Sequence, residues 1–217
     1  MNKKTVFIFW GILALIFFVL YSLIIKKLNL YQTDFNLTVR LQNHIPKSYD
    51  MFLSYLSLMG SFELLTILLV AIILITRKVK SVLLLIVFAG AHVVELLGKL
   101  FLNHPGPPFM FFRYDLGFYF PSSYVSTGSS YPSGHSFRSV YLSVVIAYFI
   151  WSSKHLSSTK KIALSLALVA FNILMLTSRI SLGEHWTSDV IGGMLLGVGF
   201  GLLSLPVLMP WRQASSK

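Results

Sequence analysis

Long apolar runs separated by short polar segments make up most of this chain. A helix needs about 20 mostly apolar residues to cross the roughly 30 Å hydrocarbon core of a bilayer. Segments of that kind predict about six transmembrane helices, at Thr5–Ile25, Leu56–Ile75, Ser81–Leu102, Val140–Trp151 extended back toward Phe137, Ile162–Leu176 and Val190–Met209. The pattern therefore predicts an all-α fold, a polytopic bundle of membrane helices. Since no repeat or linker interrupts it, we expect a single domain over residues 1–217.

Composition supports a membrane protein. Hydrophobic residues make up 55% of the chain and charged residues only 12%, with a mean hydropathy of +0.74, whereas about a quarter of a soluble domain is charged. The net charge is +11, but the basic residues stand mostly singly or in pairs between apolar runs. That arrangement is typical of membrane flanks near anionic lipid, and it argues against nucleic acid as a partner. The absence of cysteine excludes disulfides and Cys-ligated metals.

Six spans place both termini on the same side of the membrane. The connections on that side are very short, and short loops rich in Lys and Arg face the cytoplasm. The basic residues in question are Lys3, Lys4, Arg77, Lys78, Lys80, Lys154, Lys160, Lys161, Arg212 and Lys217. We therefore expect a multi-pass protein of the cell membrane with cytoplasmic termini. The long connections 26–55 and 103–137 are expected outside.

Polar residues cluster near the predicted outer ends of spans three to six. The clusters are Lys99 with His104, the segment Tyr131–His135, and Ser178-Arg179 followed by His185 and Asp189. Ionisable residues near membrane depth are costly to bury and are candidates for function. These clusters are therefore the candidate functional site.

The last cluster contains a histidine and a carboxylate at helical spacing. His185 and Asp189 lie four residues apart, so a helix beginning near them places both on one face. An aspartate bonded to one ring nitrogen makes the other nitrogen more basic. The spacing leaves open whether His185 acts as a base or as a nucleophile.

The remaining clusters suit an anion. Arg179 offers a planar fork of donors and Lys99 a point charge, both suited to phosphate. Ser133 and Gly134 before a helix expose backbone N–H groups, and His135 beside them can protonate a leaving oxygen. The set indicates phosphoryl transfer without a bound metal or other cofactor.

These motifs resemble those of the type 2 phosphatidic acid phosphatase (PAP2) superfamily, in its membrane-integrated branch. Tyr-Pro-Ser-Gly-His at 131–135 and the S-R-x5-H-x3-D pattern from Ser178 to Asp189 match two of that family's three signatures. The resemblance implies that His185 is a nucleophile forming a phosphohistidine, that Asp189 orients it, and that His135 is the acid for the leaving group. It also implies phosphate contacts from Lys99, Ser133, Gly134 and Arg179.

One position departs from the family. Its first signature is Lys, six residues, then Arg-Pro, but here Lys99 is followed at that distance by Gly106-Pro107. His104, Arg113 or Arg138 are candidates to replace the missing arginine, and we include His104 and Arg138 among the possible phosphate-binding residues. Altered or lost activity is the alternative.

Several other polar or small residues receive structural interpretations. We interpret His92 and Glu95 as a buried pair in the bundle, with a position near the site as the alternative, and Glu184 as a solvent-facing residue at a helix start. Segment Thr33–His44 is a candidate interfacial helix. Gly193, Gly197 and Gly201 recur at the spacing that lets helices approach closely, which we interpret as packing inside the bundle rather than dimerisation.

Two classes of function remain. The first is a membrane lipid phosphatase acting on undecaprenyl diphosphate, phosphatidylglycerol phosphate or phosphatidate, with the polyprenyl diphosphate slightly favoured, or a phosphotransferase using the same intermediate. The second is a non-catalytic protein that binds or transports lipid phosphates, for which the missing arginine is the main support. The intact set of His135, His185 and Asp189 favours the enzyme. The oligomeric state is left open.

Overall fold

The computed structural model describes residues 2–28, 30–124 and 128–209. Over these residues the chain forms eight α-helices and no β-strand, so the all-α prediction is confirmed. The helices are α1 (Lys3–Lys27), α2 (Tyr31–His44), α3 (Asp50–Met59), α4 (Phe62–Thr76), α5 (Leu83–Phe101), α6 (Gly134–Ser152), α7 (Ser158–Ser181) and α8 (Thr187–Leu208). Arg212 and Lys217, two of the basic residues used to predict the topology, lie outside the described residues.

Four of these helices are each long and apolar enough to cross a membrane: α1, α5 with the 3-10 turn that precedes it, α7 and α8. The pair α3–α4 passes the same test but is bent by 48° at its break. The described part of the chain therefore offers four or five spans by length and composition, and the predicted count of six is not confirmed. Large apolar side chains on these helices, such as Ile67, Ile86 and Leu166, are more than 60% exposed, as expected for surfaces that face lipid.

The second predicted span is not one helix. The prediction of a continuous helix over Leu56–Ile75 is wrong, because α3 ends at Met59 and α4 begins at Phe62. The Ser61 hydroxyl accepts the Leu64 N–H at 3.4 Å and caps the new helix. A methyl group added to Gly60 would lie 2.9 Å from Met175 Sδ and 3.0 Å from His135 Cδ2. Glycine at the break thus lets α3 approach α6 and α7 closely.

The helix α8 forms the centre of the bundle and packs mainly against α1 and α6. Its glycines make the close contact with α6: a methyl group added to Gly197 or Gly201 would lie 2.9 Å from the Cβ of Val140 or Val144. Gly193 faces the first turn of α6 in the same way. The prediction that these glycines pack inside the bundle is confirmed.

The directions of the helices bring the predicted site residues to one end of the bundle. The C-terminal ends of α5 and α7 and the N-terminal ends of α6 and α8 meet there. The N-terminal half of α1 lies toward the other end, since Gly11 packs on Gly199 and Leu203 near the C-terminal end of α8. The segment predicted as a short helix is α2, and it buries Asp34 and Thr38 at the site end. The fold therefore gathers residues distant in sequence around one cavity.

Candidate active site

The cavity at this end has a volume of about 810 Å³. That volume lies within the range of about 300–1,000 Å³ usual for ligand sites. Six predicted site residues line its wall: Lys99, Gly134, His135, Arg138, Arg179 and His185. Because α6 and α8 both begin at this cavity, the positive ends of two helix dipoles point toward it. The geometry favours an anionic ligand.

The first turn of α6 is held tightly against its neighbours. The Ser133 hydroxyl accepts the Ser136 N–H and caps the helix, while the Ser133 N–H donates to the Asp189 carbonyl at 3.0 Å. A side chain on Gly134 would collide with Glu95 and come within 2.7 Å of Arg138 Nη1. A larger residue there would displace the Glu95 carboxylate and the Arg138 guanidinium, so glycine lets both charged groups approach the start of α6.

The histidine and aspartate predicted to act together do form a pair. His185 Nδ1 lies 3.4 Å from Asp189 Oδ2, and the same oxygen accepts the Trp186 N–H at 2.9 Å. Since Asp189 Oδ2 is the acceptor for the Trp186 N–H, it is also the acceptor for His185, so this contact assigns the ring hydrogen of His185 to Nδ1 and leaves Nε2 with its lone pair. Burial, together with the nearby Arg179 and Lys99 charges, holds the pKa of His185 well below its usual value. The ring is therefore neutral near pH 7.

The His185 backbone is also fixed from the preceding helix. The N–H groups of Glu184 and His185 both donate to the Arg179 carbonyl at 3.1 Å. The indole N–H of Trp186 donates to the Pro105 carbonyl at 2.9 Å. These bonds tie the turn between α7 and α8 to the loop that follows α5.

Glu95 pairs with two cations on one side of the cavity. Lys99 Nζ lies 2.7 Å from Glu95 Oε1, and Arg138 Nη1 lies 3.7 Å from Glu95 Oε2. His92 Nδ1 is 3.1 Å from the same Oε2. The predicted pair of His92 and Glu95 is present, but both residues line the cavity. Glu95 is thus part of the site as well as of the bundle.

A second carboxylate pairs with the third cation. Arg179 contacts both Glu184 and the Ser57 hydroxyl, and Glu184 is largely buried. The interpretation of Glu184 as solvent-facing is wrong, because the turn before α8 directs its side chain toward α3. Burial raises the pKa of Glu184, while Arg179 opposes that rise. Among the described residues, the buried Nε of Arg179 has no hydrogen-bond partner.

The two other candidates to replace the missing arginine lie away from the cavity wall. The His104 ring points toward α8, with Nε2 3.2 Å from Ser188 Oγ and 3.4 Å from Asp189 Oδ1. Arg113 donates to both Asp50 oxygens and to the carbonyls of Gln42 and Ile45. His104 as a phosphate ligand is therefore not supported by this geometry, whereas Arg138 lies in the cavity wall.

The sequence did not predict the contributions of Glu184 and Ser57 to the site, and it offered a place near the site for Glu95 only as the second interpretation. The spacing of Glu95, four residues before Lys99, was a usable signal for an ion pair on one helix face. Ser57 carried no signal, since its position depends on the break after α3. Among the described residues, no group of three or more His, Asp or Glu is placed to share a metal ion.

A helical membrane bundle with a buried histidine–aspartate pair and a cation-lined cavity defines the class of this protein. The family model of the PAP2 superfamily matches residues 64–213, and the chain belongs to that superfamily. Phosphatidylglycerophosphatase B of Bacillus subtilis (strain 168) is 41% identical over 71 residues, which are 32% of this chain and 34% of that protein. The match thus spans about a third of the length of that relative.

Two solved structures share the fold. The crystal structure of the first transmembrane PAP2 type phosphatidylglycerolphosphate phosphatase from Bacillus subtilis superposes with a TM-score of 0.73 at 21% identity, over 90% of this chain and 94% of that one. The crystal structure of Aquifex aeolicus LpxE gives a TM-score of 0.59 at 24% identity, over 79% of this chain and 94% of that one. At these identities the likeness concerns the fold alone.

Proposed function

We propose that this protein is a membrane lipid phosphatase in which His185 is the nucleophile. The observation that carries the proposal is the Asp189–His185 pair facing a cavity with three cations. Asp189 accepts the hydrogen bond from His185 Nδ1, so the lone pair of His185 Nε2 is available to attack phosphorus. A low pKa keeps that nitrogen unprotonated. Membership of the PAP2 superfamily supports the same assignment.

The reaction proceeds in two displacements. In the first, a bond forms between His185 Nε2 and phosphorus while the bond from phosphorus to the leaving oxygen breaks. Burial and the nearby Arg179 and Arg138 charges hold the pKa of His135 well below its usual value, so its protonation depends on the anionic phosphate entering the cavity and offsetting those charges. The protonated His135 then donates to that oxygen, and the lipid product leaves as an alcohol or a shorter phosphate. In the second, water attacks phosphorus, His135 takes its proton, and the P–N bond breaks to release inorganic phosphate.

The cations stabilise the charge that develops on the phosphoryl oxygens. Three cations line the wall, Lys99, Arg138 and Arg179, and they pair with only two glutamates. The cavity wall therefore carries a net positive charge before substrate binds. The unpartnered Nε of Arg179 offers a donor that a phosphate oxygen can satisfy. The N-terminal end of α6 at Gly134 adds the helix dipole, whereas the N–H of Ser133, predicted to bind phosphate, is already donated to the Asp189 carbonyl. Preorganised donors of this kind supply much of the rate enhancement in phosphoryl transfer.

The same donor set supports a metal-independent reaction. In many phosphatases a divalent ion neutralises the transferring phosphoryl group. Here side-chain cations line the cavity, and the carboxylates near them are engaged in ion pairs. We therefore expect full activity in the presence of EDTA.

We infer that the substrate is a phosphorylated lipid of the bilayer, with phosphatidylglycerol phosphate as the first candidate. The support is the name of the 41% identical relative, phosphatidylglycerophosphatase B. Undecaprenyl diphosphate and phosphatidate are the other candidates. The site lies at the end of the bundle opposite the N-terminal end of α1, so cytoplasmic termini would place it at the extracytoplasmic face.

The experiment is phosphate release by the detergent-purified protein from these three lipids, in EDTA. His185→Ala is the test variant, and His155→Ala is the matched control, since His155 is exposed at the opposite end of the bundle. Release that disappears in His185→Ala alone supports the proposal. Release that persists in that variant would remove the nucleophile assignment, and restoration only by an added metal would contradict the metal-independent reaction.

A further inference from the structure

A cluster of buried polar side chains lies behind Asp189, on the side away from the cavity. Asp34 on α2 accepts the Ser188 N–H at 2.9 Å and the Ser188 hydroxyl at 2.6 Å. His104 Nε2 lies 3.2 Å from the Ser188 oxygen and 3.4 Å from Asp189 Oδ1. Asp34 and Ser188 are only 2% and 3% exposed, and Asp189 is fully buried. Nothing in the proposed reaction uses this cluster.

The directions of these hydrogen bonds follow from the number of hydrogens available. Ser188 has one hydroxyl hydrogen, and the short contact assigns it to Asp34, whose ionised carboxylate can only accept. The Ser188 oxygen therefore faces His104 with its lone pairs. In the ionised form in which Asp189 acts on His185, its Oδ1 also presents only lone pairs. His104 Nε2 must carry a hydrogen, because a lone pair there would face two acceptors.

Burial lowers the pKa of His104, although the charge of Asp34 opposes that effect. A neutral imidazole has a single N–H, and the contacts place it on Nε2. Among the described residues, no donor meets normal hydrogen-bond limits at Asp189 Oδ1. His104 Nε2 lies 3.4 Å from that oxygen, and the Ser130 hydroxyl also contacts the Asp189 carboxylate. A chain His104–Asp189–His185 results, with the aspartate between two imidazoles.

We propose that His104 is a positioning residue that holds Asp189 in its catalytic orientation, and that Asp34, acting through Ser188, fixes the tautomer of His104. The Nε2–H of His104 partly satisfies Asp189 Oδ1, the oxygen that does not face His185. Asp189 therefore keeps Oδ2 directed at His185 Nδ1. This inference rests on the proposed function, because it assigns His104 a role in the activity of His185. It also explains why His104 does not line the cavity.

The first test does not need activity. The protein is labelled with ¹⁵N-histidine, and the His104 ring signals are assigned by their loss in His104→Gln. The expected wild-type spectrum shows a neutral ring with hydrogen on Nε2. In Asp34→Asn the amide must keep its oxygen toward the Ser188 N–H, so its NH₂ faces the Ser188 hydroxyl. The hydroxyl hydrogen then turns to His104, and we expect the ring hydrogen to move to Nδ1.

The second test separates turnover from binding. His104→Leu removes the donor at similar size, whereas His104→Gln retains one near the position of Nε2. Loss of a full hydrogen bond to a charged group corresponds to at least about a tenfold effect, and the long contact of His104 with Asp189 places the expected decrease at that lower limit, about tenfold. We expect that decrease in kcat for His104→Leu, with KM changed less than about threefold because His104 does not contact the cavity. His104→Gln should stay within about threefold of wild type, and Asp34→Asn should resemble His104→Leu.

His155→Leu is the matched control, and the unfolding temperature in detergent is recorded for every variant. Equal kcat values for His104→Leu and His104→Gln, whether both normal or both low, would overturn the positioning role. A wild-type ring with hydrogen on Nδ1 would overturn the hydrogen-bond assignment. If the wild-type protein releases no phosphate from any lipid, the proposed function is contradicted instead. In that case the tautomer of the His104 ring still tests the hydrogen-bond assignment.

Discussion

Arg138 allows a direct test of how the cavity compensates for the glycine at position 106. Its side chain is 8% exposed, forms part of the cavity wall and pairs with Glu95 at 3.7 Å. Arg138→Met removes the charge while keeping an unbranched chain of comparable length. Lys99 and His92 remain as partners of Glu95, so the buried carboxylate is not left alone.

The magnitude follows from the contact that is lost. A hydrogen bond to a charged group contributes about 1.5–3 kcal/mol, and about 1.4 kcal/mol corresponds to a factor of ten in rate. We therefore expect Arg138→Met to lower kcat/KM by about tenfold to 150-fold. Arg77→Met is the matched control, because Arg77 is exposed at the opposite end of the bundle, and its kcat/KM should be unchanged.

A second substitution can restore what the first removes. Gly106 lines the same cavity, and a Cβ there would meet only Ser130, with its Cβ at 3.4 Å and its hydroxyl at 3.8 Å. The position therefore has room for a side chain. Gly106→Arg in the Arg138→Met background should recover at least part of the lost kcat/KM, measured as phosphate release in detergent.

The proposed role of Arg138 fails if the kcat/KM of Arg138→Met stays within about threefold of wild type while its unfolding temperature is unchanged. It fails equally if Arg138→Met is inactive and Gly106→Arg gives no recovery in a folded double variant. In the first case phosphate would be held without Arg138. In the second, Arg138 would act at a place that position 106 cannot reach.

Two further predictions concern pH and packing. Because the pKa of His185 lies well below its usual value, the neutral nucleophile persists as pH falls through about 6.5. In the pH profile of kcat/KM, the acid limb that reports His185 should therefore lie below about pH 6.5. The substrate phosphate is titrated separately so that its own ionisation can be subtracted. An acid limb at or above about pH 6.5 would contradict a neutral His185 ring. Gly193→Ala would place a methyl group 2.8 Å from Ser136 Cβ, so thermal unfolding should show a loss of about 1–3 kcal/mol. Gly90→Ala, whose methyl group would meet only Phe200 at 3.6 Å, should not be destabilised, and equal losses for both would refute the packing argument.

Apolar runs and short motifs were sufficient to predict most of the helices and the residues grouped within them. A run of about 20 apolar residues has few stable alternatives to a helix in lipid. His185 lies two residues before α8, so its pairing with Asp189 comes from the turn that caps this helix, in which Asp189 also accepts the Trp186 N–H, rather than from a shared helix face. The packing of Gly197 and Gly201 on α6 depends on a local periodicity. These features are encoded within or beside one or two turns of a single helix.

The partners of the cations were decided only by the tertiary structure. Glu184 turns toward Arg179 and Ser57 because α3 ends at Met59 and brings Ser57 beside these two residues of the cavity wall. Nothing near residue 184 encodes the position of residue 57, since their contact depends on how three helices pack.

The place of His104 was decided in the same way. The sequence put it five residues after Lys99 and suggested a phosphate ligand. The fold turns its ring to Ser188 and Asp189, because α2 and α8 bring Asp34 and Ser188 together there. Spacing along a chain determines which side chains share a helix face, whereas contacts between helices determine which buried charges and hydrogen-bond donors find partners.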